Sequence, residues 1–431
     1  MPTVTLGLGA NQGNRIANLR EAIYQLNQCD YIQINKKSAV FRTPALLKPN
    51  SPKEWNIDYF NCCISIVTSL SPRVLLSTTI KAIERQMGRN LQAARWSPRV
   101  IDIDILTWGN QTVNEEDLHI PHIGILERNF VLQPLLQIDP YWKHPNFSEL
   151  NLHIHLKKFK PLAYAPYQLD TPKLMGILNV SEDSFSGDGL MDINQIEKQF
   201  IQLVNQGAEV IDIGAVTTKP NAKEISIEDE WRRLKPVCDR LSLLKSHADL
   251  MTIPEISIDT YHPEIVEKLI PYSVDMINDV YGINSKAIAN LIKGTTIKYC
   301  VMHNCGRAGE AYLDIQTPAI EQLYDYFEMK KSELLSYGLE AKQLVFDVGI
   351  GFGKFPFQVK NIFEHIHQLQ NLGVKLLVGH SRKASISESA SLILPTERDF
   401  ETAVVSRLIQ DKVNYLRVHN IDMNRRALLC G

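Results

Sequence analysis

The sequence contains no run approaching the ~18 consecutive apolar residues of a membrane span. Its opening, MPTVTLGLGANQGN, also lacks the basic start and apolar stretch of a secretory signal. Net charge is nearly absent: 46 Lys and Arg stand against 48 Asp and Glu, a formal −2 at pH 7. A nucleic-acid coat or a polybasic membrane binder needs an excess of cations, so both are excluded and any anion site must be local. Cysteine is sparse and unpatterned. The seven residues Cys29, Cys62, Cys63, Cys238, Cys300, Cys305 and Cys430 form no CxxC, which fits free thiols in a reducing, cytoplasmic setting. Cys300, His303 and Cys305 fall within six residues, but with no fourth ligand or knuckle pair they read as buried thiols around a strand end ahead of a zinc site. Repeats and low-complexity tracts are absent as well.

What is present is 431 residues of ordinary globular composition, 44% hydrophobic and 22% charged, enough for two domains. The segment 157–172, KKFKPLAYAPYQLDTP, carries three prolines and no periodicity and reads as a stiff linker. Beyond it, eight short apolar runs alternate with amphipathic stretches: KLMGILN, EVIDIG, EISIDT, DMINDV, IKYCVMH, LVFDVG, KLLVGHSRK and YLRVH. Such runs indicate a parallel sheet covered on both faces, and eight of them in residues 173–431 indicate a (β/α)8 TIM barrel. Barrel chemistry sits at the C-terminal strand ends. Those ends carry Asn179, Asp212, Asp259, Asn278 with Asp279, His303, Asp347, Ser381 with Arg382 and Lys383, and Arg417 with His419. Residues 1–156 instead give strand, helix, two strands, helix, strand, the order of an α+β ferredoxin-like sandwich.

Within that first region, VIDIDIL places Asp102 and Asp104 on one face of a strand and Ile101, Ile103 and Ile105 on the other. Alone, this reads first as an ordinary amphipathic strand with a solvated acidic face. The preceding stretch holds Arg85, Arg89, Arg95 and Arg99 with Trp96 and no acid. Arginine forks match phosphate oxygens, so a basic loop running into paired carboxylates supplies both halves of a Mg²⁺–nucleotide site. Two nucleotide signatures fail: GLGANQGN lacks the third glycine of GxGxxG, and GIGFGK has the wrong glycine spacing and Phe355 where a P-loop needs Ser or Thr.

The series LGLGANQGN, FRTP, DYFN, GRNLQAARWSPRVIDIDIL, IPH and ERNF resembles 6-hydroxymethyl-7,8-dihydropterin pyrophosphokinase over nearly all of the first 155 residues. MGILNVSEDSFS, GAEVIDIG, SIDT, INDV, VMH, DVGIGFGK, VGHSRK and RVHN resemble dihydropteroate synthase, in order, over 173–431. The resemblance implies a bifunctional enzyme of folate synthesis, the product of the first site being a substrate of the second, and a target for sulfonamides. It implies that Asp102 and Asp104 hold Mg²⁺ between ATP phosphates, that Arg89, Arg95 and Arg99 with Trp96, His122 and Arg128 bind ATP, and that Thr43, Pro44, Tyr59, Asn61 and Phe130 form the first pterin pocket. In the barrel it implies pterin recognition by Asp259, Asn278, Asp347 and Lys383, pyrophosphate binding by Asn179, Arg417 and His419 with Mg²⁺ at Asn179, and p-aminobenzoate binding by Thr218, Lys219, Pro220, Phe352 and Ser381. Arg89, Arg95, Arg99, Asp102, Asp104 and Lys383 would carry catalysis. A homodimer through the barrel is compatible with it.

The chain departs from the family at Leu91 and Gln92, where a basic residue is usual, and at GAVTTKPN, which loses a glutamate at Val216 and an arginine at Lys219. The altered loop opens a rival reading, a kinase fused to a barrel that binds pterin with impaired catalysis or a regulatory role.

Overall fold

The computed structural model describes residues 2–90, 93–94, 96–170, 172–180, 192–215, 225–247, 249–306, 312–386, 390 and 392–429. The chain forms two compact units, 1–170 and 171–431.

The first unit is built on an antiparallel sheet of β1 (Thr3–Ala10), β2 (Ile32–Lys37), β3 (Phe41–Thr43), β4 (Tyr59–Thr68) and β5 (Asp102–Trp108). β1 lies between β5 and β4, and β4 pairs onward with both β2 and β3. With β2 and β3 taken as one interrupted strand, this is the ferredoxin-like order expected. The interruption has a local cause. The Ser38 hydroxyl accepts the Cys63 N–H, 2.9 Å, in place of a backbone carbonyl. The helix Arg15–Asn27 starts at an Asn14 cap and buries Ile16, Leu19, Ala22, Ile23 and Leu26, the three-and-four spacing of a single apolar stripe. A helical run, 72–86, leads into the arginine-rich stretch. The hairpin β6 (Val113–Glu115) and β7 (Leu118–Ile120) precedes the helix Asn129–Ile138, which packs Val131, Leu132 and Leu135 against Cys63 and Leu106 of the sheet.

The expected linker differs from the structure. Residues 163 and 164 form β8 (Ala163–Tyr164), which extends the sheet by pairing with β3. Tyr164 stacks on Phe41 at 4.9 Å, and Arg20 donates to the carbonyls of Gln168 and Leu169. The prolines interrupt helical and strand periodicity without freeing the chain, because a two-residue edge strand and buried Ala165 and Tyr167 leave almost no periodic signal.

The second unit is a closed barrel of eight parallel strands in sequence order: β9 (Lys173–Asn179), β10 (Val210–Gly214), β11 (Glu255–Asp259), β12 (Met276–Asp279), β13 (Lys298–Met302), β14 (Leu344–Asp347), β15 (Lys375–Val378) and β16 (Tyr415–Val418), β16 closing on β9. All eight runs read from the sequence are its strands. Side chains alternate across the wall. Leu174, Ile211, Ile256, Ile277, Tyr299, Phe346, Leu376 and Leu416 face the helices, whereas Met175, Val210, Met276, Cys300, Val345, Leu377 and Tyr415 fill the interior.

Those interior positions fix what lies above and below them. Two residues toward the strand starts lie Lys173, Lys298 and Lys375, and Glu255 on β11 bonds Lys173 Nζ and Lys298 Nζ, each at 2.7 Å. This charged layer floors the barrel. Two residues toward the strand ends, the same parity gives Asp212, Asn278, Asp347 and Arg417 on β10, β12, β14 and β16. Alternate strands thus contribute one polar layer, as barrel geometry requires.

Candidate functional sites

In the first unit, strand register sets the site. Gly9 of β1 is paired with Asn61 on one side and Asp102 on the other, and Gly7 with Cys63 and Asp104. All six positions therefore face the same side of the sheet. A Cβ on Gly9 would stand 2.8 Å from Asn61 Oδ1, so glycine there is what leaves room for the amide. Asn61 is buried and donates to Thr43 Oγ1 at 2.7 Å. Over these rows lies a cavity of about 290 Å³ lined by Thr43, Pro44, Tyr59, Asn61, Phe130, Arg89, Trp96, Arg99, Asp102, Asp104, His122 and Arg128. Of the residues named for this unit, Arg85 is not in the lining, and Arg95, with Leu91 and Gln92, lies outside the described residues; the others are brought together.

The electrostatics are those of a site built for a cation and an anion together. Asp102 receives Arg89 Nη1 on one oxygen, at 2.7 Å, and Arg99 Nη1 on the other. The Asp104 carboxyl is pushed up to about 7 by burial, then by Asp102 and by Glu84. Burial, with Arg128 next, pushes His122 down to about 4. Its Nδ1 accepts the Gly124 N–H at 3.1 Å, which leaves the proton on Nε2. Glu84 escaped the sequence reading because it precedes the arginine run on an ordinary amphipathic helix. It is fully buried, accepts the Ile103 N–H at 2.9 Å, binds Lys81 at 2.9 Å and holds Arg89. Arg85 turns away and donates to the Lys81 carbonyl.

In the barrel, Arg417 stands at the centre of the polar layer. Its Nε donates to Asp212 Oδ2 at 2.7 Å and its Nη2 to Asp259 Oδ2 at 3.1 Å. Asn278 Nδ2 donates to the same Asp212 oxygen at 3.2 Å. Burial works against the guanidinium charge, but Asp212 and Asp259 outweigh it and hold Arg417 firmly protonated. Asp259 is pushed up to about 7 by burial and by Asp212, and Asp347 is raised by burial. Lys383, lowered by burial and by Arg417, lies over the Phe352 ring, 4.7 Å from its centroid. Among the described residues, Asp212 Oδ1 and Asn278 Oδ1 are buried acceptors with no hydrogen-bond donor.

Just beyond the end of β15, Ser381 Oγ accepts the His419 N–H at 3.1 Å and lies within hydrogen-bond distance of His419 Nδ1, 2.9 Å. His419, pushed down to about 4 by burial, then by Arg382 and Arg417, is therefore a neutral ring. Asn179 is exposed at the end of β9. Thr218, Lys219 and Pro220, with Val216, lie outside the described residues.

Other strand-end residues are diverted to structure. Arg382 makes a two-pronged ion pair with Asp399, 2.7 and 3.0 Å, so it is not one of the cations of the mouth. Asp279 is saturated by the Tyr281 and Gly282 N–H groups and the Tyr299 hydroxyl. Cys300 sits in the barrel interior, while the His303 ring meets Lys354. Asp212 appeared in the sequence only as a strand end; the parity of 210 and 212 is the signal that marks it as inward.

The first unit thus holds a cavity lined by arginines and paired carboxylates, and the barrel a polar layer of Asp212, Asn278, Asp347 and Arg417. Residues 5–140 match the family of 7,8-dihydro-6-hydroxymethylpterin-pyrophosphokinase, and residues 175–419 match the pterin binding enzymes. The chain belongs to the family of folate synthesis bifunctional proteins that joins these two enzymes. The folate synthesis bifunctional protein of Chlamydia caviae is 36% identical over 440 residues, covering 99% of this chain and 96% of its own. Among solved structures, a dihydropteroate synthase from Anaplasma phagocytophilum with bound 6-hydroxymethylpterin-monophosphate is 30% identical with a TM-score of 0.53, covering 60% of this chain and 97% of its own. One from Xanthomonas albilineans with 4-aminobenzoic acid is 28% identical with a TM-score of 0.53, covering 61% and 92%. The protein is a bifunctional transferase of folate biosynthesis. The reading of an impaired barrel is not favoured, since the relatives matched along nearly the whole chain are folate synthesis bifunctional proteins.

Proposed function

We propose that unit 1–170 transfers diphosphate from ATP to 6-hydroxymethyl-7,8-dihydropterin, releasing AMP, and that unit 171–431 condenses the product with p-aminobenzoate to 7,8-dihydropteroate and pyrophosphate. The observation that carries the first step is the single cavity in which the carboxylates, arginines and amide pocket meet. Asn61 and Thr43 address the pyrimidinone edge, Phe130 offers a ring to stack on, and Tyr59 and Pro44 close the pocket. Arg89, Arg95, Arg99 and Arg128 neutralise the transferring phosphates, with Trp96 beside them, and neutral His122 donates Nε2–H to a phosphate oxygen.

The donor set fits Mg²⁺. Two carboxylates share one face, and the burial that raises Asp104, with the neighbouring charges of Asp102 and Glu84, is what a divalent cation would offset. Bound there, the metal supplies charge neutralisation between the phosphates. Arg89 and Arg99, each paired with one Asp102 oxygen, stand beside the carboxylates where the phosphates would bind.

In the barrel, the Asp347 carboxylate and Asn278 amide accept and donate along the pterin edge, Asp259 assists, and Lys383 stands on the carbonyl side. Arg417 and the neutral His419 ring, with Asn179, take the departing pyrophosphate; Asn179, a single neutral amide, would hold a Mg²⁺ only alongside phosphate oxygens, and the metal would there neutralise phosphate charge. Fixing that anion stabilises the electron-poor methylene that the p-aminobenzoate amine then captures. Phe352 and Ser381, with Thr218, Lys219 and Pro220, make the p-aminobenzoate side. A dimer through the barrel is supported by Phe400, Val404 and Leu408, an exposed apolar stripe at four-residue spacing on the helix Asp399–Ile409. A cytoplasmic setting agrees with the free thiols Cys29, Cys62, Cys63, Cys238, Cys300 and Cys305. Among the described residues no helix is long and apolar enough to cross a membrane.

Incubation of the chain with hydroxymethyl-dihydropterin, ATP, Mg²⁺ and p-aminobenzoate is expected to give AMP, pyrophosphate and dihydropteroate in equal amounts. AMP without dihydropteroate would refute the assignment of the barrel.

A further inference from the structure

The lysine of GIGFGK has no phosphate-loop geometry and none of the roles given above. It is nonetheless buried at the mouth of the barrel, 4% exposed. Lys354 Nζ lies 3.0 Å from the carbonyl of Gly349, 3.0 Å from that of Phe352, 3.2 Å from that of His303, and 3.1 Å from His303 Nδ1. An ammonium has three protons, so all of them are spent on one turn, 349–352, and on the residue that follows β13. The contact between these segments is otherwise bare backbone: a Cβ on Gly349 would meet the His303 carbonyl oxygen at 2.0 Å. The turn in question carries the groups against which Lys383 rests. A Cβ on Gly351 would meet the Lys383 side chain at 3.0 Å, and the Phe352 ring lies beneath Lys383 Nζ.

We propose that Lys354 is a positioning residue of the synthase: by tying the turn 349–352 to His303 it holds Phe352 under Lys383 and so sets the p-aminobenzoate side of the site. Its neighbours agree with a charge kept for internal bonding. Burial pushes Lys354 down to about 8, opposed by Cys305 and Asp347, and burial followed by Lys354 pushes His303 down to about 3, leaving Nδ1 an acceptor. The inference rests on the assignment of Phe352 to p-aminobenzoate, and the test separates the two.

The test is steady-state kinetics of the full chain carrying Lys354→Met, Phe352→Ala or both, with the pyrophosphokinase rate of the same molecules as a folding control. Lys354→Met is expected to raise KM for p-aminobenzoate about tenfold, to leave KM for the pterin diphosphate within about twofold, and to leave AMP release unchanged. The double variant is expected to be little worse than Phe352→Ala alone, since both act through one ring. Lys354→Gln, which keeps two donors, is expected to fall between Lys354→Met and the unaltered chain, and serves in its place if Lys354→Met does not fold. An unchanged KM for p-aminobenzoate, effects that simply add, or a loss of kcat in proportion to unfolded protein would each overturn the proposal. A Phe352→Ala chain with ordinary KM would instead overturn the assignment of Phe352.

Discussion

A methyl group on Gly9 has nowhere to go, because the Asn61 amide oxygen already occupies its place at 2.8 Å. Gly9→Ala is therefore expected to raise KM for hydroxymethyl-dihydropterin at least about tenfold, by displacing an amide that a polar pocket cannot replace. The check is AMP release as a function of pterin concentration, and an unchanged KM would mean that Asn61 does not read the ring. His419 gives a second case. As a neutral ring it should add no break near pH 6.5 to the synthase rate, since burial and the neighbouring Arg382 and Arg417 hold it down to about 4. His419→Ala is expected to cost roughly 10²-fold in kcat/KM for the pterin diphosphate, the order found on removing one donor from an anion. A pH profile of the unaltered enzyme that bends at 6.5 and straightens in His419→Ala would refute the neutral ring. At this scale the sequence was legible where residue type and spacing act together, as in Asp102 and Asp104. It was silent on Glu84 and Lys354, whose charges are turned inward by contacts distant in the chain.

Strands and helices were the most legible level. Each barrel strand is a continuous apolar run because both its faces are covered, and the runs map one to one onto β9–β16. The edge strand β8 was not, since two residues carry no period. The barrel floor makes an element-scale prediction. Lys173 and Lys298 outweigh the burial of Glu255 and bring its carboxyl down to about 2. A depressed carboxylate contributes stability above its unfolded value near 4.5, and that contribution is lost as pH falls toward 2. Glu255→Gln is expected to destabilise the barrel by about 2 kcal/mol at pH 7, with the difference from the unaltered chain shrinking between pH 4.5 and 2. Denaturant unfolding at several pH values measures it, and a penalty independent of pH would contradict the ion pairs as its source.

For the whole molecule, near-zero net charge conceals two local cationic sites, each set against carboxylates. Arg89 and Arg99 sit on Asp102, and Arg417 sits on Asp212 and Asp259. Phe400→Asp combined with Leu408→Asp is expected to abolish the proposed barrel dimer, as read by light scattering of the variant and the unaltered chain, while leaving AMP release intact. The account stands on two chemically separate sites in one chain, and Asp102→Ala tests that most directly. Dihydropteroate formation by this variant should be lost, at least about 10³-fold, when it starts from hydroxymethyl-dihydropterin and ATP, and should match the unaltered chain when it starts from the pterin diphosphate. Equal loss from both starting points would contradict the account.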